Sequence, residues 1–451
     1  MSLTNASPVD AAQSAKSASH ILATLPASAR NDALTAIHSG LAAARDEILA
    51  ANARDLELAR QAAKSGELSQ SLVARLDLNK KGKWEDMLKG ILDVRDLEDP
   101  VETIVGKVTL RTKLDDNLEL ERVTCPIGVL LIIFEARPEV IANIASLAVK
   151  SGNAAILKGG KESTESFVAI SKVISQALDK TEVPNGAVQL VTTRDVIPQL
   201  LDLDRYIDLV IPRGGNELVR YIKSSTKIPV LGHADGLCSI FLEESADAKL
   251  AAGVLVDSKT SYPAACNSVE TLLVQESALD TLLPAAAEAL VAKGVTLHCD
   301  TKSKAALASL PGADKFLVDA TEADYDTEFL SLDLAVKTVS GLDEAVAHIN
   351  THGSKHTEAI LTSRGDLAER FMSAVDAAGA YWNAPTRLAD GMRYGFGTEV
   401  GISTNKIHSR GPVGLEGLMI YKYKIRGAGQ LTADYGEGEG QARFKHERLP
   451  L

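Results

Sequence analysis

Apolar residues recur at helical spacing through the first hundred positions. Leu34, Ile37, Leu41, Ile48 and Leu49 fall on one face, with charge on the other, which predicts amphipathic helix. The period then changes. In residues 105–123 two β-rich runs flank Asp115-Asp116-Asn117, a hairpin with a polar turn. From Cys125 strands and helices alternate. VLLIIF (129–134) is apolar on both faces, as a buried parallel strand requires. Pro138 suits the first turn of a helix reaching about Lys150, Ser151-Gly152-Asn153 breaks it, and 154–158 is the next strand. The unit repeats through a helix at 166–178, a strand at 188–191, a helix after Asp195, a strand at 207–211, the glycine turn RGGNELVRYI and a strand IPVLG. A second alternating unit starts near Leu237, with strands CSIFL, ETLLV and AVKTV and helices after Ala246 and over 278–293. The break at 232–236 reads as a hinge. MIYKYKI is a late strand, and the tail containing GEGEG is expected to be mobile. The predicted class is α/β, doubly wound.

Composition narrows the function. The 451 residues hold two or three domains. Acidic residues outnumber basic ones, 60 against 48, for a net charge of -12, and aromatics are only 4%. Nucleic acid and anionic membrane are therefore excluded as main partners. No apolar run approaches the roughly 18 residues that cross a bilayer. The N-terminus has no basic region followed by an apolar one, so no secretory signal is expected. A mitochondrial transit peptide is disfavoured, because Asp10 comes early and Arg30 is the first arginine. The four cysteines include no CxxC pair, which argues against a disulfide framework or a zinc site and for a reducing, cytosolic compartment.

Four places could carry chemistry. Cys266 lies in a turn-like stretch before a strand, where a thiolate can be exposed to attack a carbonyl and backbone N–H groups can hold the oxyanion. The alternative is a small buried cysteine. Lys158, at the carboxyl end of a strand and followed by glycines, lies where doubly wound sheets bind ligands, or is a solvated lysine closing a strand. Gly214 and Gly215 form a strand-to-helix turn that can admit a pyrophosphate, although Gly-Gly turns are common. Arg137 follows the most apolar strand and pairs either with an anionic ligand or with a structural carboxylate. His352, His356 and Glu358 have HxxxHxE spacing but lack a third convincing ligand, so no metal is expected.

Long motifs in order carry a resemblance covering roughly residues 10–427. They are CPIGVLLIIFEARPEV, AAILKGGKES, IDLVIPRGG, LGHADGLC, YPAACNSVETLLV, VAHINTHGSKHTEAI and FGTEVGISTNKIHSRGPVGLEGL. The chain resembles the aldehyde dehydrogenase superfamily, most closely its γ-glutamyl phosphate reductase family. The resemblance implies an NADPH-dependent reduction of L-glutamate 5-phosphate to L-glutamate 5-semialdehyde through a thioester on Cys266. It gives Lys158 to the adenosine ribose, Gly214 and Gly215 to the pyrophosphate, and Glu328 to the nicotinamide ribose. Lys161 stands near where NAD-preferring relatives carry an acidic residue, which favours the 2′-phosphate of NADP. Arg137, Asn267 and Arg387 are the candidates for holding the substrate. The superfamily's ELGGK-like motif reads LGHADG here, with His233 and no glutamate base, which fits phosphate rather than water as the acyl partner.

The implied organisation is a cofactor domain (1–107 and 124–232), a catalytic domain (233–402), an oligomerisation arm (108–123 and 418–430), a return segment (403–417) and a mobile tail (431–451). It further implies a homo-oligomer and a separate glutamate 5-kinase as the source of substrate. The rival readings are a hydrolytic aldehyde dehydrogenase and a non-catalytic α/β binding protein.

Overall fold

The computed structural model describes residues 3–4, 7–68, 70–101, 106–135, 137–192 and 196–451. The chain forms two units. The first comprises Met1–Leu231, Phe396–Gly401 and Val413–Leu451, and the second Gly232–Gly395 and Ile402–Pro412.

The first unit is built on a five-stranded parallel sheet. Its order is Leu3–Thr4, Val188–Val191, Ala154–Gly159, Val129–Phe134 and Leu209–Arg213. Every residue of VLLIIF is buried. Leu130, Ile132 and Phe134 join a core with Leu34, Ile37 and Leu41, while Val129, Leu131 and Ile133 join another with Ala11 and Ala15. The strict alternation of strand side chains thus feeds helices on both faces, the reason a strand apolar throughout is needed here. The apolar face expected over 34–49 is shared between two helices, Ala27–Ala43 and Arg45–Lys64, which meet at Ala44. The helix Val140–Ser151 ends at Gly152, whose φ of 76° is left-handed and where a Cβ would lie 2.7 Å from Pro126 Cγ. IPVLG makes only a single bridge, Val230 to Val210, because Pro229 interrupts its donor row.

The hairpin forms as expected, Val108–Asp115 against Leu118–Pro126, with Asn117 at φ 57° in the turn. Met419–Arg426 pairs along Leu118–Pro126. The tail, expected to be mobile, has partners on this sheet. Glu447 and Arg448 pair with Lys113 and Thr112, Tyr435 Oη donates to Asp115 at 2.9 Å, and Lys445 sits 2.6 Å from Asp116. The open edge of the hairpin offers unpaired backbone groups, and the tail fills them. Lys113 and Lys445 hold the Asp116 carboxyl at about 2.

The second unit is a seven-stranded parallel sheet. Its order is Leu317–Asp319, Thr296–Cys299, Asp333–Val339, Val269–Gln275, Cys238–Leu242, Thr357–Leu361 and Gly379–Trp382. Ile240, Leu242, Leu272 and Val274 face one core, and Phe241, Leu273 and Ile360 face the other. Among the described residues no helix is long and apolar enough to cross a membrane.

Candidate active site

In the second unit the polar chemistry lies at the amino-terminal ends of the central strands. Gly232–Leu237 leads into Cys238–Leu242, Cys266 precedes Val269–Gln275, and His356 immediately precedes Thr357–Leu361. Cys266 occupies a tight turn in which Ser268 N donates to Ala265 O at 2.8 Å. The residue is partly exposed. The ligand atoms of Cys266, His233 and His356 all lie within 4.8 Å of one another. The two rings meet edge to face, 5.0 Å apart. His233 Nδ1 donates to Ile402 O at 2.9 Å, and His356 Nδ1 is 2.9 Å from Thr357 Oγ1. His356 is 1% exposed, and its Nε2 is buried without a hydrogen-bond partner.

Backbone fit fixes this arrangement. A Cβ on Gly236 would stand 2.0 Å from Cys266 O and 2.6 Å from its Cα, so only glycine lets the two loops touch. Cys238 Sγ donates to Cys266 O at 3.4 Å. Gly236 N donates to Glu328 Oε1 at 3.1 Å, which puts Glu328 beside the cysteine loop. Burial pushes the Glu328 carboxyl up. Behind the loop, Lys259 and Glu270 form a fully buried pair at 2.6 Å, and burial raises Glu270 to about 7. Burial also pushes up the thiols of Cys125, Cys238 and Cys299, the last to about 12, which suits packing rather than nucleophilic roles.

Arg387 comes to the same loop. It donates to Asn267 Oδ1 through Nη1, reaches Ser261 Oγ at 3.2 Å and lies over the Tyr262 ring at 5.9 Å. Asn267 Nδ2 donates to Ala389 O at 2.8 Å. Arg393 Nη1 donates to Arg387 O at 3.0 Å and adds a second positive charge.

The HxxxHxE cluster is dispersed. His352 bonds Asp326 at 2.9 Å and stacks on His348, and Glu358 accepts from Ser239 N at 2.7 Å. Only His356 turns to the cysteine. Sequence periodicity missed this pairing. The available signal was that His356, like Cys266, stands just ahead of an apolar strand.

In the first unit the candidates lie at the carboxyl ends of strands. Lys158 is on Ala154–Gly159, and its Nζ donates to Gly159 O at 2.9 Å. Lys161 opens the short helical turn that follows. Arg137 lies in the turn after Val129–Phe134. Gly214 and Gly215 lead from Leu209–Arg213 into the helix Asn216–Ser225. These residues fit a dinucleotide. A Cβ on Gly215 would meet nothing within 4 Å, so space is open ahead of the helix N-terminus. The Gly215 amide already donates to an anion, Glu135 Oε2 at 3.2 Å. Glu162, which the sequence patterns did not bring forward, folds its carboxylate against Gly160.

Comparison with known proteins adds to this geometry. A family model described as the aldehyde dehydrogenase family matches residues 2–305. A "probable gamma-glutamyl phosphate reductase" of Schizosaccharomyces pombe is 55% identical over 437 residues, spanning 97% of this chain and 96% of that one. The γ-glutamyl phosphate reductase of Saccharomyces cerevisiae is 51% identical over 453 residues, spanning 98% and 97%. The crystal structure of γ-glutamyl phosphate reductase from Thermotoga maritima superposes with a TM-score of 0.88 at 38% identity, covering 94% of this chain and all of that one (100%). The chain belongs to the aldehyde dehydrogenase family, in its γ-glutamyl phosphate reductase branch. Its chemistry is that of an oxidoreductase acting on an aldehyde group with a nicotinamide cofactor.

Proposed function

We propose that this enzyme reduces L-glutamate 5-phosphate to L-glutamate 5-semialdehyde with NADPH, releasing phosphate, as a step of proline biosynthesis. The observation that carries the reading is Cys266, partly exposed and close to His233 and His356, on a loop whose Asn267 accepts from Arg387. An imidazole beside the thiol takes its proton, and the thiolate attacks the acyl carbon. The C–O bond to phosphate breaks, leaving a thioester on Cys266. The backbone N–H of Cys266 is the oxyanion donor; removing one such donor typically costs about 2.7–4 kcal/mol of barrier. The nicotinamide, when bound, supplies the hydride that reduces the thioester carbonyl. The C–S bond then breaks, the aldehyde departs and the imidazole returns the proton to sulfur. Arg387, steadied by Asn267, holds an anionic group of the substrate, and Arg137 is a further candidate for that task.

Lys158, Lys161, Gly214 and Gly215 hold the dinucleotide, with Lys161 toward a 2′-phosphate, and Glu328 serves the nicotinamide ribose. The segments 1–107 and 124–232 form the cofactor domain and 233–402 the catalytic one. A separate kinase supplies the acyl phosphate, and the reaction belongs to a reducing compartment, the cytosol, where Cys266 stays a thiol. Strand Met419–Arg426 is an edge strand exposing Ile420, Tyr421, Tyr423 and Ile425, which supports a homo-oligomer formed through this arm.

The reverse direction tests the reading, because it avoids the unstable acyl phosphate. Glutamate semialdehyde and NADP should yield NADPH only when inorganic phosphate is present. NADPH formation without phosphate would establish the hydrolytic dehydrogenase instead.

A further inference from the structure

We propose that Cys266, His233 and His356 also form a reversible site for a thiophilic divalent cation such as zinc(II), bound in competition with the acyl substrate. That competition rests on Cys266 being the nucleophile; the binding itself does not. The three ligand atoms lie within 4.8 Å of one another. With zinc–sulfur near 2.3 Å and zinc–nitrogen near 2.0–2.1 Å, tetrahedral ligands stand roughly 3.3–3.6 Å apart. A rotation of the Cys266 side chain and a shift of about an ångström close the set. The ligands come from three loops anchored on adjacent strands, so the backbone already holds them together.

A second observation is independent of that proximity. His356 Nε2 is buried and lacks a hydrogen-bond partner, a costly state that a metal would relieve. Each ring has the support that metal-bound histidines show. His233 Nδ1 donates to Ile402 O, which makes Nε2 its lone-pair nitrogen. With His356 Nδ1 donating to Thr357 Oγ1, the same holds for His356. Glu328, bonded to the Gly236 amide and electrostatically coupled to His233, adds negative charge nearby. The positive charge of Arg387, which acts on Cys266, opposes it. Three protein ligands leave the fourth position to water or to a phosphate oxygen.

On binding, the S–H bond breaks, the proton goes to solvent and the sulfur lone pair forms the bond to the metal. That lone pair is the one that would attack the acyl carbon, so occupancy and turnover exclude each other. Neither an oxidant nor a reductant is needed, and a chelator reverses the step.

The test uses the metal-free full chain. Zinc(II) titrated against a chromophoric chelator should bind at one ion per chain, and Cys266→Ser and His356→Gln should each weaken it roughly tenfold or more. Zinc should slow alkylation of Cys266 by iodoacetamide by about the same factor, and EDTA should restore it. Cobalt(II) should give a thiolate charge-transfer band that Cys266→Ser abolishes. Equal zinc affinity in wild type and both variants, or alkylation indifferent to zinc, would overturn the site. His233→Gln replaces His356→Gln if the latter fails to fold. These readouts follow the metal and not turnover. An active Cys266→Ala variant would sink the catalytic reading alone and leave the cation site to be judged by them.

Discussion

The two units share a parallel sheet flanked by helices, yet they place their polar residues at opposite ends of it. In the first unit Lys158 lies at the carboxyl end of its strand, and Arg137 and the Gly214–Gly215 turn follow the carboxyl ends of theirs. Helix N-termini come next there, and their amides and dipoles suit phosphate. In the second unit Cys266 and His356 precede strands, following the helices Ala248–Thr260 and Leu342–His352. One architecture thus carries its candidate residues at the carboxyl ends of strands in one unit and at the amino ends in the other.

Removing the sulfur breaks the comparison hardest. Cys266→Ala should fold normally and lose at least about 10³-fold in kcat, the effect expected of removing a covalent nucleophile. Activity near the wild-type level would return the second unit to a packing role. Gly236→Ala should cost about 10²-fold in kcat. The new methyl group collides with Cys266 backbone and displaces its sulfur by about an ångström. The rate of Cys266 alkylation should change with it, and an unchanged rate would show that the loops yield without moving the sulfur.

His348 sharpens the contrast within the second unit, since it is a buried histidine away from the thiol. Burial and, secondarily, His352 lower it to about 4 from an ordinary 6.5. The stability it lends is present above about pH 6.5 and is lost as pH falls toward 4, where only the unfolded chain takes up the proton. The loss should be about 3 kcal/mol in urea denaturation. His348→Leu should flatten that slope; an equal slope in the variant would assign it to other groups.

The smallest effect concerns the first unit. Lys161→Glu should shift the ratio of kcat/KM for NADPH over NADH about tenfold toward NADH, the loss of one partly screened charge pair. An unchanged ratio would remove Lys161 from the choice of cofactor and direct attention to Glu162.

The pattern of apolar residues determined much of this molecule unaided. VLLIIF read as a strand covered on both faces from its short length and β-branched content, and the Asp116-Asn117 turn read as a chain reversal from its local backbone freedom. Cys266 came forward as a candidate for a similarly local reason, a turn running into a strand. Contacts between distant segments were not. That His356 and not His352 faces the sulfur depends on strands 238–242, 269–275 and 357–361 being neighbours, a pairing order that no local period encodes. The partners of the tail were equally out of local reach. Its glycines read as a mobile segment, and only the fold shows that the edge of a hairpin more than 300 residues earlier pairs with it, Tyr435 to Asp115 at a separation of 320. The single Gly236 that lets two loops touch is likewise a demand of tertiary packing. Its Cβ would be harmless in the isolated segment and collides only once Cys266 is brought against it.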